Sequence, residues 1–490
     1  MDCVPCQFPR HSRLHASLFL SVIAAMLAAA ATGCSSGGAS GSPGTTNFSG
    51  TTNVTLLASS TANEQFSQYS IFFRSLTLVS KSGSTVQVAL PQREEFIHLN
   101  GRAEPLATAT VPQGIYTSAT LTLSGASISC VAQDSSGLGT YTTQPGNQST
   151  IHLPAPITIT GAAMGLDLDL LVSQSAIYQG CTTLVSGPPQ TDGPTFNLKA
   201  TSFTANPVSA ETGRLTGIEG LVSGASSSSF SITAASGAVW QVNSNSSTVF
   251  QGIGGASALV VGLPVDMDVS IQPDGSLMAS RVEVEDTNTA NLSVTRGPLL
   301  YLPSPVSSLS AFGRVMQGNL YSGLLSPSAL IYSYGASLFQ ISGQLANLNS
   351  LPFAAIFDAS TAVPGQNVSF TAHATSIQGG PTYVPAATMT LIPQTINGTV
   401  SSISTAGGFT IYTISLAPYD LFPNLSVQPV QTTRIKNPGV IAAYADSSTQ
   451  MLNSSDPLSV GSTLRFNGLV FDDNGTLKMD CIQVQDGVVE

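Results

Sequence analysis

Ile218-Glu219-Gly220-Leu221-Val222 recurs later in the chain as Ile396-Asn397-Gly398-Thr399-Val400. Each stretch is followed by a Ser/Gly-rich turn and a strand pattern, Phe230-Ser231-Ile232-Thr233 in one copy and Phe409-Thr410-Ile411-Tyr412 in the other. Val261-Gly262 and Val460-Gly461 then open a further strand in each copy. Both copies continue into a hairpin, Asp274-Gly275-Ser276-Leu277 and Asn474-Gly475-Thr476-Leu477. Asp-Gly and Asn-Gly suit two-residue turns that need positive φ. The closing strands end at Asp286 and Asp486, with the same spacing from turn to end. A fixed spacing in Ser/Gly-rich sequence marks a repeated structural unit.

A looser copy is expected between these two. Phe339-Gln340-Ile341-Ser342 reads as its early strand, Val363-Pro364-Gly365-Gln366 as its Val-x-Gly position and Ala387-Thr388-Met389-Thr390-Leu391 as its closing strand. The stretch from Leu292 to Tyr332 does not fit the repeat and reads only as β-rich.

Composition agrees with an all-β chain. Of 490 residues, 42% are hydrophobic and the mean hydropathy is +0.24, which is ample material for cores. Charged residues make up only 8%, against about 25% in an ordinary soluble domain. Ser, Thr, Gly and Asn therefore supply the polar surface, and these favour strands and turns over helix interiors. The net charge is −11, with fifteen scattered Lys and Arg. Nucleic-acid binding needs clustered basic residues to neutralise phosphates, so that class is excluded.

Upstream of the repeats, Asn53-Val54-Thr55-Leu56-Leu57, Tyr69 to Leu78, Ile97-His98-Leu99 and Ala119-Thr120-Leu121-Thr122-Leu123 read as strands. Val111-Pro112-Gln113-Gly114-Ile115-Tyr116-Thr117 reads as a turn. Leu166-Asp167-Leu168-Asp169-Leu170 alternates strictly, which predicts apolar residues on one face and carboxylates on a solvent face. The expected organisation is a leader over 1–33, a Gly/Ser/Thr tether over 34–52, a β-sandwich over 53–204, a barrel over 214–286, a divergent repeat over 290–394 and a barrel over 395–490.

The C-terminal repeats resemble the family called domain of unknown function 5666. Gly-x-Val, a Phe-x-Ile strand, Val-Gly and Asp/Asn-Gly before a closing strand carry that resemblance, which implies small OB-like β-barrels. The N-terminal region resembles domain of unknown function 4382, through the turn formed by Pro112, Gly114, Tyr116 and Thr117 and through the Leu-Asp-Leu-Asp-Leu strand. That resemblance implies an immunoglobulin- or transthyretin-like β-sandwich. Neither implies an activity.

Arg10 and Arg13 precede an apolar stretch from Ala16 to Ala31, the layout of a secretory signal peptide. Ala31-Thr32-Gly33-Cys34 is similar to a bacterial lipoprotein cleavage site, which implies acylation of Cys34 (the palmitate type of anchor). Ser35 in place of the inner-membrane retention Asp implies the outer membrane, facing the periplasm or the cell surface. Cys130 and Cys181 could pair in that oxidising compartment, worth about 4 kcal/mol in the chain-entropy model. Cys481 is expected in a core.

Signs of chemistry are few. His98, His152 and His373 lack ligand spacing, so no metal and no cofactor are expected. No Gly-x-Ser-x-Gly elbow, phosphate loop or dinucleotide fingerprint occurs. Asp472-Asp473-Asn474-Gly475 reads as a hairpin rather than a calcium loop, and Trp240 as core. The expected role is non-catalytic: a structural or adhesive envelope lipoprotein with a polysaccharide, peptidoglycan or envelope-protein partner. One alternative is a carbohydrate-binding or carrier protein using Tyr301, Tyr321, Tyr332 and Tyr334. Another is an extracellular hydrolase whose site is assembled in space, with a His beside a Ser or a carboxylate pair.

Overall fold

A computed structural model describes residues 48–61, 68–91, 93–134, 137–143, 149–175, 193–203, 214–301, 308–312, 314–317, 329–333, 338–343, 348–373, 383–417, 420–426, 435–452 and 458–487. Phe48–Glu490 form one compact unit. Residues 1–47, on which the expected leader and Cys34 fall, lie outside the described residues. The fold is all-β, and no described helix is long and apolar enough to cross a membrane.

The N-terminal part contains β1 (Thr51–Ser60), β2 (Gln68–Ser80), β3 (Thr85–Val88), β4 (Arg93–Glu95), β5 (Ala103–Pro112) and β6 (Gly114–Asp134). It continues with β7 (Gly137–Thr143), β8 (Ser149–Leu153), β9 (Ile157–Ile159), β10 (Ala163–Leu170) and β11 (Phe196–Ser202). One sheet has the order β11-β10-β1-β5, with β1 and β10 parallel. The other has the order β3-β2-β6-β7, with β4 on β2 and both β8 and β9 on β6. Their inner faces share one core, including Leu56 and Ala58 of β1, Leu76 and Leu78 of β2, and Leu166 and Leu168 of β10. This is a β-sandwich. At the turn into β6, the Tyr116 hydroxyl donates to the Pro112 carbonyl at 2.8 Å, which pins the corner.

Two expectations are corrected in this region. Ile97-His98-Leu99 is a 3-10 turn, not a strand. The cause is Glu95, whose carboxylate accepts the Ile97 and His98 N–H groups at 2.9 and 3.1 Å and satisfies them locally, as a capping side chain does. Asp167 and Asp169 do not face solvent but are 5% and 7% exposed. The reason is a second layer: Leu57, Ala103, Ala163 and Phe203 on the outer face of this sheet belong to the core cluster of the first barrel. Ser59 Oγ donates to Asp167 at 2.9 Å and to Asp169 at 3.3 Å, and Lys199 Nζ lies 3.4 Å from Asp169.

The first barrel contains β12 (Arg214–Ala225), β13 (Ser229–Thr233), β14 (Val239–Asn243), β15 (Val249–Gln251), β16 (Pro264–Ile271) and β17 (Leu277–Glu283). Hydrogen bonding runs β12-β13-β14-β17-β16 and back to β12, closing five strands, with β14 and β17 parallel. Such a five-stranded Greek key is the OB topology. Val265, Met267 and Val269 point into the core, which also holds Trp240.

The middle region contains β18 (Leu292–Tyr301), β19 (Ser308–Phe312), β20 (Arg314–Gln317), β21 (Ala329–Ser333), β22 (Leu338–Ile341), β23 (Asn367–His373), β24 (Tyr383–Pro385) and β25 (Thr388–Leu391). The stretch from Leu292 to Tyr332, expected to fall outside the repeat, supplies β18, β19, β20 and most of β21; β18, β19 and β21 are the counterparts of β12, β13 and β14, and β20 is an extra strand on β18. β18 pairs with β19 and β23, β19 with β21, and β23 with β25, as β12, β13, β14, β16 and β17 do. The closing strand is split, with β24 parallel to β21 and β25 parallel to β22. Phe339–Ile341 is therefore the counterpart of β15, not an early strand. Alternation in a sequence reports which face a residue takes, not which strand becomes its partner.

The last barrel contains β26 (Gln394–Ala406), β27 (Phe409–Ser415), β28 (Val440–Ala445), β29 (Gln450–Leu452), β30 (Thr463–Asp473) and β31 (Thr476–Asp486). It closes β26-β27-β28-β31-β30, matching the first barrel strand for strand. Its hairpin is a two-residue turn with Asn474 at φ 54° and Gly475 at φ 84°, between paired Asp473 and Thr476. In the first barrel the hairpin is one residue longer. Gln272 N–H bonds the Ser276 carbonyl at 2.8 Å around Pro273-Asp274-Gly275, with only the glycine at positive φ.

Candidate functional site

Strand register places the first barrel, the middle repeat and the last barrel on a common frame. Gly220 pairs with Val265, Gly297 with Val368 and Gly398 with Leu464. Glu219, Arg296 and Asn397, one residue before each glycine, are thus equivalent. On the same outward face the first barrel carries Asp266, Asp268, Arg281 and Glu283, and the last carries Arg465, Asn467, Gln483 and Gln485. A barrel standing alone would show this face to water. Here all four of the first barrel's residues are buried, as are Asn467, Gln483 and Gln485.

The burial arises because the first barrel's face meets the middle repeat and the last barrel's face meets a loop of the sandwich. Arg296, at the start of the middle repeat, reaches three carboxylates of the first barrel: Glu219 at 2.8 Å, Asp266 at 3.1 Å and Glu285 at 2.9 Å. Arg281 bonds Asp268 at 3.1 Å, Glu283 at 2.6 Å and also Asp266. Glu283 in turn accepts from Ser342 Oγ at 2.8 Å and Gly343 N at 2.9 Å, and Glu285 accepts from Ser369 Oγ at 2.6 Å. Burial works to lower the pKa of Arg296, but Glu219, Glu285 and Asp266 outweigh it and hold the guanidinium firmly charged. Burial pushes Glu285 up to about 7 against the pull of Arg296 and Ser369.

The sandwich enters the same seam through Asn100-Gly101-Arg102. The Arg102 guanidinium packs on Gly217, where any side chain would collide with it, and donates to the Pro393 carbonyl at 2.8 Å. Burial lowers the Arg102 pKa, with partial recovery from Asp266, Glu219 and Asp268. On the other side Thr395 Oγ1 donates to the Asn100 carbonyl at 2.7 Å, Gln483 Nε2 to the Gly101 carbonyl at 3.3 Å, and Arg465 Nη1 to the Ser60 carbonyl at 3.3 Å. One loop of the sandwich therefore touches the first barrel, the last barrel and the link between the last two.

The segment leading to this loop carries a second cluster. It crosses from β4, paired with β2 in one sheet, to β5, paired with β1 in the other. Glu94 and Glu104 are buried, at 3% and 4% exposure. The His98 imidazole lies between carboxylates, with Nδ1 3.0 Å from Glu95 and Nε2 3.4 Å from Glu104. One ligand atom each from Glu94, His98 and Glu104 lies within 4.8 Å of the others. Contact with carboxylates on both nitrogens suits charge pairing or metal ligation, and does not by itself activate a nucleophile.

His98, like His152 and His373, has no ligand spacing in the sequence, and spacing does not mark Glu94 or Glu104 either. A signal was present: Arg93, Glu94, Glu95, Arg102 and Glu104 put five charged residues into twelve, in a chain that is 8% charged. The second described histidine contact is His373, 2.8 Å from Asp286. Trp240 and Cys481 are core residues at 5% and 3% exposure. Asp472 accepts from Gly475 N at 2.7 Å inside its hairpin. Tyr301 and Tyr332 end up in β18 and β21 and Cys130 in β6, but their side chains lie outside the described residues, as do Tyr321, Tyr334 and Cys181 entirely.

A family model described as Domain of unknown function (DUF5666) matches residues 219–283, which run from β12 to the end of β17 and comprise most of the first barrel. No curated protein matches the chain.

Proposed function

We propose that this chain is a non-catalytic, lipid-anchored protein of the bacterial outer envelope, a rigid β body held off the membrane by a short tether. It would present its remaining surface to polysaccharide, peptidoglycan or another envelope protein. The observation that supports this reading is the seam. The charged face of the first barrel is turned toward the middle repeat and the amide face of the last barrel toward the sandwich, so buried polar groups join modules. An assembly built this way is suited to bearing and displaying.

The test is acylation in a Gram-negative host fed a clickable fatty acid, comparing the wild-type chain with Cys34→Ala. Label in the wild type and none in the variant is the expected result, together with co-sedimentation of the protein with outer membrane. Unlabelled, freely released wild-type protein would overturn the anchored reading. Sedimentation with purified peptidoglycan sacculi then tests the display role. Saturable turnover of a chromogenic ester or glycoside by the same preparation would overturn the non-catalytic one.

A further inference from the structure

We propose that Glu94, His98 and Glu104 form a binding site for a divalent first-row transition ion, Zn²⁺ in the simplest case, with Glu95 as the positioning residue. The donor set is one imidazole and two carboxylates, which suits such an ion better than Ca²⁺ or Mg²⁺. Ligands about 2.0–2.2 Å from a tetrahedral Zn²⁺ lie roughly 3.3 Å apart. His98 Nε2 and Glu104 Oε1 are 3.4 Å apart, and the Glu94 oxygen is within 4.8 Å of both, so a small side-chain rotation closes the set.

The surroundings have the form that such sites need. A ligating imidazole is normally oriented by a carboxylate on its other nitrogen. Glu95 occupies that place at 3.0 Å from Nδ1. It is itself fixed by the N–H groups of Tyr69, Ile97 and His98, at 2.9, 2.9 and 3.1 Å. The three ligands come from a strand, a 3-10 turn and a second strand, so their spacing is set by the sandwich. A dication would offset two buried carboxylates. The His98 side chain is 17% exposed, while its Nε2 and the Glu94 Oε2 are themselves buried, so the ion would sit away from bulk water. Because Leu99 leads directly into Asn100-Gly101-Arg102, loading the site would also stiffen the loop wedged between the barrels.

The purified full chain, carrying no polyhistidine tag and stripped with chelator, is titrated with ZnCl₂ by calorimetry and by thermal melting. One Zn²⁺ per chain and a raised melting temperature are expected. Glu104→Gln should weaken binding at least tenfold and His98→Gln more, while Glu95→Gln should lose roughly 10- to 100-fold through the imidazole's orientation. X-ray absorption of the unaltered Zn²⁺-loaded chain does not depend on any variant folding. It should show imidazole and oxygen ligands at about 2.0–2.1 Å. A sulfur shell would assign the ion to cysteines and overturn the site. So would absence of stoichiometric binding, or binding unchanged in both Glu104→Gln and His98→Gln, which would leave His98 as a charge pair with Glu95 and Glu104.

Discussion

Replacing Arg296 with methionine tests whether the seam holds the barrels together. Methionine keeps much of the side-chain length and removes the guanidinium. Three carboxylates of the first barrel, Glu219, Asp266 and Glu285, then lose a cation at 2.8, 3.1 and 2.9 Å in a place where Arg296 is 5% exposed. Breaking one buried ion pair by removing one partner costs about 3–5 kcal/mol. Because one cation serves three carboxylates, the upper half of that range applies, about 4–5 kcal/mol. Proton uptake by Glu285, already pushed up to about 7, limits the loss in mild acid. Trp240 is the single tryptophan and sits in the first barrel's core, so its fluorescence in urea reports that barrel. With an m value of about 3 kcal/mol/M the midpoint should fall by about 1.5 M. The fluorescence and far-ultraviolet dichroism transitions should also separate in the variant, as the first barrel uncouples. A loss under about 1 kcal/mol with unchanged m would refute the reasoning, because it would mean that these charges stay hydrated.

Glu285 predicts a pH dependence of known sign. Its folded-state value of about 7 lies above the roughly 4.3 of an exposed glutamate. The folded chain then holds a proton that the unfolded chain has released, so this stabilising contribution is complete below about pH 4 and is lost as pH rises through 7. Melting temperature measured across that window should slope downward with pH in the wild type and be flatter in Glu285→Gln; equal slopes would remove Glu285 as the cause. Tyr116→Phe deletes the bond to Pro112 and should cost about 1 kcal/mol in urea unfolding, and no loss would mean the corner is set by packing alone. Gly468→Ala puts a Cβ 2.0 Å from the Asp480 carbonyl oxygen, so the last barrel should fail to close, whereas Gly407→Ala, at an open hairpin tip, should cost about 1 kcal/mol from its positive φ. Comparing soluble yield and melting of the two variants checks the contrast.

The fold class was legible because alternation and turn chemistry are local. Phe230-Ser231-Ile232-Thr233 and Asn474-Gly475 state their strand and their turn within four residues. The interfaces were less legible. Asp167 and Asp169 alternate with leucines as a solvent face would, and nothing nearby in sequence says that Phe203 and the first barrel's core cover the outer sheet. The middle repeat's first strand, Leu292–Tyr301, lacks the Gly-x-Val signature and is identified only by its register with Asn367–His373. The Glu94–His98–Glu104 cluster depends on a chain crossing between two sheets, which spacing alone does not reveal. A charge-dense segment in a charge-poor chain was the available hint.

The wedge made by Asn100-Gly101-Arg102 has a kinetic consequence. Its partners are far along the chain: Arg102 bonds Pro393 across 291 positions, and Gln483 bonds Gly101 across 382. Contacts this distant must wait for large loops to close, and domains dominated by them fold slowly. The sandwich and the last barrel complete each other only after the rest of the chain is in place. Until that closure, the amide face of the last barrel, Asn467, Gln483 and Gln485, stays wet, whereas Arg296 can already dock, since Glu285 and Asp266 are only 11 and 30 positions away.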